Sequence, residues 1–111
     1  MDLKLLTKKA EKIKEKYEEL NRIKGKKPWT VSEYTQGLIG DAGDLMKLIM
    51  IKKNYRGKNT REINKKIRHE LADVLWSAIV IAQELNIDLE EEFIINMEYL
   101  KQKLSEEIEE L

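Results

Sequence analysis

Cysteine is absent from this 111-residue chain, proline and phenylalanine each occur once, and glycine occurs five times. Without cysteine there is no disulfide framework, no thiolate metal site and no thiol nucleophile. With so few breakers, little interrupts a helix. An excess of one charge is also missing, since 21 Lys+Arg stand against 21 Asp+Glu. That balance excludes a generally basic binder of long nucleic acid. It equally excludes a one-signed disordered tail. No apolar run approaches the roughly 20 residues of a membrane span. Met1 to Ala10 intersperses lysine among its leucines, unlike a secretory signal. These absences leave a single cytoplasmic domain over residues 1–111 with no membrane partner.

What is present is helical periodicity. Leu6, Ala10, Ile13, Tyr17, Leu20 and Ile23 recur at three- and four-residue steps. They predict an amphipathic helix from Leu3 to about Lys24, within an N-terminal unit over 1–25. Gly25 is its expected C-terminal cap. Thr30 to Glu33 reads as a capping box opening a second helix that runs to about Lys53. A polar loop at Asn54, Arg56, Gly57 and Lys58 leads to a third helix, from Asn59 or Thr60 to Leu85. Asp88, with Glu91 three residues on, caps a fourth carrying Leu89, Phe93, Met97, Leu100, Leu104 and Ile108. The expected fold is all-α, a bundle of four to five helices. From Leu71 to Ala82 the third helix is apolar almost all round, which calls for burial on every side. Three partners in so short a chain leave it under-covered, so a second subunit is expected to complete the bundle.

Most acids sit beside lysines on outward faces, but two pairs do not. Asp41 and Asp44 lie in Gly-Leu-Ile-Gly-Asp-Ala-Gly-Asp-Leu, and Glu70 and Asp73 open the most apolar stretch. Spacing of three puts each pair on one helix face. Asp41 shares its stripe with Leu38, Leu45 and Leu48 and so points inward. Four carboxylates across one helix seam need a cation, because each raises its neighbours' proton affinity. Two sources of charge fit equally: lysine or arginine from neighbouring helices, or a divalent metal. With no cysteine and one histidine, His69, the donors are oxygens, which select Mg²⁺ or Mn²⁺ over Zn²⁺.

Gly40 to Leu45 and His-Glu-Leu-Ala-Asp-Val-Leu, His69 to Leu75, resemble the paired Glu-x-x-Glu and Glu-x-x-Asp helices of the MazG-like nucleoside triphosphate pyrophosphohydrolases. The resemblance extends from about Trp29 to Lys103 and includes Ile81 to Glu91, similar to that family's turn into its last helix. It implies an α-helical homodimer or tetramer. It also implies a Mg²⁺ or Mn²⁺ site at Asp41, Asp44, Glu70 and Asp73, with Asp41 and Glu70 in the catalytic step. The implied reaction converts a nucleoside triphosphate and water to monophosphate and pyrophosphate, in a house-cleaning role. Asn96 and Lys101 are the implied phosphate contacts, Trp29 is family-like in position, and Trp29 and Lys47 are candidate substrate contacts from their own chemistry. The chain departs from the family in its first pair, Asp/Asp where Glu/Glu is usual. Each aspartate is one methylene shorter, so a metal must sit closer to that helix or bind through water. The alternative is a catalytically degenerate helical module kept for nucleotide binding or assembly.

Other residues admit plainer roles. Gly37, Gly40 and Gly43 recur every three residues, each costing up to about 1 kcal/mol against alanine in a helix. Close helix packing is the expected reason. Trp76 reads as core or interface, Trp29 and Tyr34 as core or as stacking partners for a base. His69 reads as a neighbour of the acids, and Lys47, Lys52, Lys53 and Arg56 as a solvated helix end or as contacts for phosphate.

Overall fold

The computed structural model describes residues 2–54 and 60–111. Four α-helices account for almost all of them: α1 (Leu3–Ile23), α2 (Val31–Asn54), α3 (Thr60–Glu84) and α4 (Leu89–Glu109). No strand occurs among the described residues, and the bounds lie close to those read from periodicity. Most of the expected polar loop, with Arg56, and a helix start at Asn59 fall outside the described residues. None of the described helices is long and apolar enough to cross a membrane.

Local chemistry explains where the helices begin and end. Asp2 and Asp88 cap α1 and α4 by accepting from the backbone N–H of Leu5 and Glu91. At α2 the Thr30 hydroxyl accepts from Ser32 N–H while Glu33 reaches back to Thr30 N–H, so the predicted box forms. Hydrogen bonds donated by the Thr30 hydroxyl and the Thr30 N–H hold the Glu33 carboxyl below its usual proton affinity. Gly25 ends α1 in the left-handed region, at φ 67°, and Lys26 N–H returns to Asn21 carbonyl at 2.8 Å. Asn86 does the same after α3, at φ 55°, with Ile87 N–H on Ala82 carbonyl. Both are Schellman ends, one using glycine and one asparagine, the side chain that best tolerates this backbone.

α3 is the helix around which the others arrange. α2 packs antiparallel along it: Tyr34 faces Trp76, the Asp41 turn faces Glu70, and Leu48 comes beside Glu62. Tyr34, Leu38, Asp41, Leu45 and Leu48 form the covered stripe of α2. α1 is joined to α3 by the Trp76 indole N–H, which donates to Ala10 carbonyl at 3.0 Å, and by a Lys14–Glu84 ion pair. Ile63, Ser77, Ile79, Val80 and Ala82 of α3 are buried by these neighbours.

Within the protomer α3 is left under-covered, as its apolar run predicts: Leu71 and Leu75 stay 53% and 46% exposed. One expectation is corrected here. The α2 glycines do not mark a close helix approach. A Cβ built at Gly37, Gly40 or Gly43 meets nothing within 4 Å. Beyond Leu89, every residue of α4 is exposed, Phe93, Ile94 and Leu104 among them. The radius of gyration is 17.9 Å, against about 13 Å for a compact domain of this length.

Candidate metal centre and its two clefts

The capping box that starts α2 fixes the phase of everything after it. Tyr34 comes one turn in, and Asp41 follows two turns later on the same stripe. On α3, Glu70 lies two turns before the buried Ser77, again on one face. Antiparallel packing then brings the two carboxylate-bearing faces together. One oxygen each from Asp41, Asp44 and Glu70 lies within 4.8 Å of the others. Asp73 is not part of this tightest group, but its charge reaches both Asp41 and Glu70.

The electrostatics are those of acids crowded without a counter-charge. Partial burial pushes the Asp41 carboxyl above its usual range, reinforced by repulsion from Asp73 and Asp44. Glu70 is raised as well, first by desolvation and then by the charges of Asp41, Asp44 and Asp73. Glu70 Oε2 is buried and has no hydrogen-bond partner, a costly state for a carboxylate oxygen. Among the described residues, no lysine or arginine forms an ion pair with any of the four acids. The ion pairs present are Lys14 with Glu18 and Glu84, and Lys16 with Glu19. Of the two charge sources open from the sequence, no neighbouring-helix cation among the described residues comes within ion-pair distance of these acids. An all-oxygen donor set of this kind suits a hard divalent ion such as Mg²⁺ or Mn²⁺.

The acids divide two clefts. One, of about 460 Å³, is walled by Tyr17, Trp29, Tyr34 and Trp76 and reaches Asp41. The four rings close a circuit. Centroids are 5.0 Å apart for Tyr17–Trp29, 5.8 Å for Trp29–Tyr34, 5.9 Å for Tyr34–Trp76 and 5.6 Å for Tyr17–Trp76. These are favourable tilted and edge-to-face separations. Tyr34 is 3% exposed and anchors the set, while Trp29 is 38% exposed and offers a face to solvent. Burial raises the Tyr34 phenol above its ordinary value. The other cleft, of about 560 Å³, holds Asp44, Glu70 and Asp73 beside Lys47, Lys65 and Lys66.

No family model, curated protein or solved structure matches this chain.

Asp41, Asp44 and Glu70 converge, Asp73 stands beside them, and Trp29 and Lys47 each line an adjoining cleft. Asn96 and Lys101 do not join them. Both are exposed on α4 and line neither cleft. His69 lies on the wall of the larger cleft, a neighbour of the acids. Tyr17 was legible only as one member of the α1 apolar stripe. Its place in the ring depends on the Gly25 turn, which folds Trp29 back onto α1. Lys65 and Lys66 carried no signal among so many lysines until α3 aligned them with Glu70.

Proposed function

We propose that this chain is a Mg²⁺- or Mn²⁺-dependent nucleotide pyrophosphohydrolase of the MazG-like kind, cleaving nucleoside triphosphate to monophosphate and pyrophosphate. The observation that carries the reading is the uncompensated Asp41–Asp44–Glu70 group between an aromatic cleft and a cationic one. Aromatic rings are sequence-tolerant platforms for a nucleobase, so Trp29 with Tyr17 and Tyr34 takes the base. Asp41, Asp44, Glu70 and Asp73 would hold the ion, which when bound neutralises phosphate charge. In the reaction, the oxygen of a water bonds to the α-phosphorus. The bond from that phosphorus to the α–β bridging oxygen breaks, and its electron pair leaves with pyrophosphate. Asp41 and Glu70 orient the water and accept its proton, which returns to solvent.

The working unit in this reading is a homodimer, placed in the cytoplasm and serving to clear nucleotides. The protomer exposes 9282 Å², roughly 2,900 Å² more than a folded monomer of 13.1 kDa normally does. Over two protomers the excess is about 5,800 Å², and obligate homodimers bury about 2,000–5,000 Å² or more in total, so a second copy on α4 accounts for most of it. Asn96 and Lys101 then act only by approaching the partner's site. Nucleotide binding without turnover is the second reading, favoured by the short Asp41/Asp44 pair.

Pyrophosphate release from a panel of ordinary and altered nucleotides, with Mg²⁺ or Mn²⁺, tests the choice. Turnover should fall at least about a hundredfold in Glu70→Gln. No release from any nucleotide by the unaltered protein would sink the hydrolase reading and leave binding alone.

A further inference from the structure

The aromatic cleft is short of positive charge as well as rich in rings. Among the described residues no lysine or arginine lines it, while two carboxylates do, Glu33 and Asp41. The charge of Lys14 reaches the Tyr34 phenol, but Glu84 and Glu18 already pair with that lysine. A neutral base needs only ring faces, since every base has a π-face of its own. Stacking alone therefore leaves the two acids unexplained. In the proposed reaction Asp41 turns to the metal, so Glu33 is the acid left to the cleft. Its carboxylate accepts from the Thr30 hydroxyl at 2.9 Å and from the Thr30 N–H at 3.2 Å. Those bonds keep it ionised through the neutral range. Each of its oxygens retains a lone pair for a further donor. The ring faces carry the negative part of the aromatic quadrupole and attract the same sign of ligand. Trp29 and Tyr17 are the most open of the four rings.

Gly37 supplies an independent observation. It follows Glu33 by four residues, precedes Asp41 by four, and lines the same cleft. Glycine inside a helix is unfavourable against alanine, and no neighbouring element demands this one. A Cβ at Gly37 would meet nothing within 4 Å. The space above it is the cleft itself. A bare stretch of backbone between two carboxylates lets a flat group lie close against the helix.

We propose that the aromatic cleft selects a positively charged nucleobase, one alkylated on a ring nitrogen, over its neutral counterpart. The cationic ring lies against Trp29 and Tyr17, its N–H or amino donor meets Glu33, and its edge passes over Gly37. This rests on the nucleotide reading above and narrows its substrate class to ring-alkylated nucleotides. Alkylation of a ring nitrogen is damage to a base, which fits the clearing role. Selection here reads charge, so it extends to any base that alkylation makes cationic, purine or pyrimidine.

Two isomers make the test, because N1-methyladenosine is cationic at neutral pH and N6-methyladenosine is neutral. In calorimetric titrations of the full-length protein with Mg²⁺ present, the cation should bind at least about tenfold more tightly. Glu33→Gln removes the charge but keeps the capping box, which accepts either residue. It should cut the preference to about threefold or less. Gly37→Leu fills the open space while favouring the helix. It should weaken both nucleosides at least about tenfold, with circular dichroism confirming the fold. Equal affinity of the unaltered protein for the two isomers overturns the selection, as does binding of neither. An undiminished preference in Glu33→Gln, or full binding by Gly37→Leu, overturns it as well. Tetramethylammonium binding as tightly as N1-methyladenosine would make the cleft a cage for a compact cation and overturn the base. The hydrolase reading fails separately. If the cationic base is preferred but no nucleotide, alkylated or not, is turned over, the selection stands and hydrolysis does not.

Discussion

α3 and α4 are both long helices with apolar residues at helical spacing, yet they meet opposite fates. Five α3 residues are buried within the protomer, and none of α4 is. The difference lies in neighbours. α3 has α2 along most of its length and α1 across its C-terminal half, whereas α4 leaves the Asn86 turn with only its first turn, Leu89 and Glu90, beside α1, and every residue beyond Leu89 is exposed. Periodicity says which face of a helix is apolar, not whose surface covers it. The first three helices carry all the acids of the centre and both clefts, and α4 carries none of them. The carboxylate group and its clefts thus lie apart from the exposed apolar stripe of α4.

The sharpest way to break this division is to charge the α4 stripe. In the dimer proposed above, Phe93→Asp with Leu100→Asp should turn dimers to monomers, weakening association by about a hundredfold or more, because each carboxylate would be desolvated in the interface. Sedimentation velocity reads the mass. Mg²⁺ binding should persist in those monomers; losing it with the dimer would show that the centre depends on α4 after all.

A smaller effect separates the metal's contribution from the fold's. Asp41 and Glu70 have raised proton affinity in the folded chain. Their contribution to stability is therefore present below the ordinary carboxylate range and is lost as pH rises through their elevated values. A divalent ion competes with those protons, so stabilisation by Mg²⁺ should grow as pH rises from the ordinary carboxylate range through the elevated values of Asp41 and Glu70. At one hundred times its dissociation constant the ion adds about 2.7 kcal/mol. Thermal melts at matched ionic strength measure it. Mg²⁺ stabilisation that is flat across that range would remove Asp41 and Glu70 from the ligand set.

The smallest effect concerns the joints that hold the first three helices. Trp76→Phe removes the donor to Ala10 carbonyl and should cost about 1 kcal/mol. Thr30→Ala removes the α2 cap at a similar cost, about 1 kcal/mol. Urea denaturation of both variants checks these values. Neither change should alter the oligomeric mass, and an altered mass would mean that the two regions are coupled.

How much of the fold and the centre is legible in the sequence follows from the range of each interaction. The Thr30–Glu33 box, the Asp88 cap and the Gly25 end are local, decided by residues a few positions apart. So is the pairing of Asp41 with Asp44, which is why the acids stand out as a centre. The near-contact of Asp44 with Glu70, leaving Asp73 to the side, depends on how α2 slides along α3. That register is a packing outcome with no single-residue signal. Gly37, Gly40 and Gly43 suggest a close neighbour, but a Cβ at any of them would meet nothing within 4 Å. Lys65 and Lys66 become meaningful only once Glu70 and Asp44 lie beside them.

The aromatic circuit has a practical consequence. The chain has only two tryptophans, and both stand in the wall of one cleft. Trp29 is partly open to water and Trp76 is tethered to Ala10 carbonyl, so their emission differs in solvent sensitivity. All of the protein's indole fluorescence therefore arises within one side chain of the proposed base platform. A stacked ring would quench it with no label and no coupled enzyme, whichever base carries the ring. The protein holds its own optical probe for sorting candidate nucleotides.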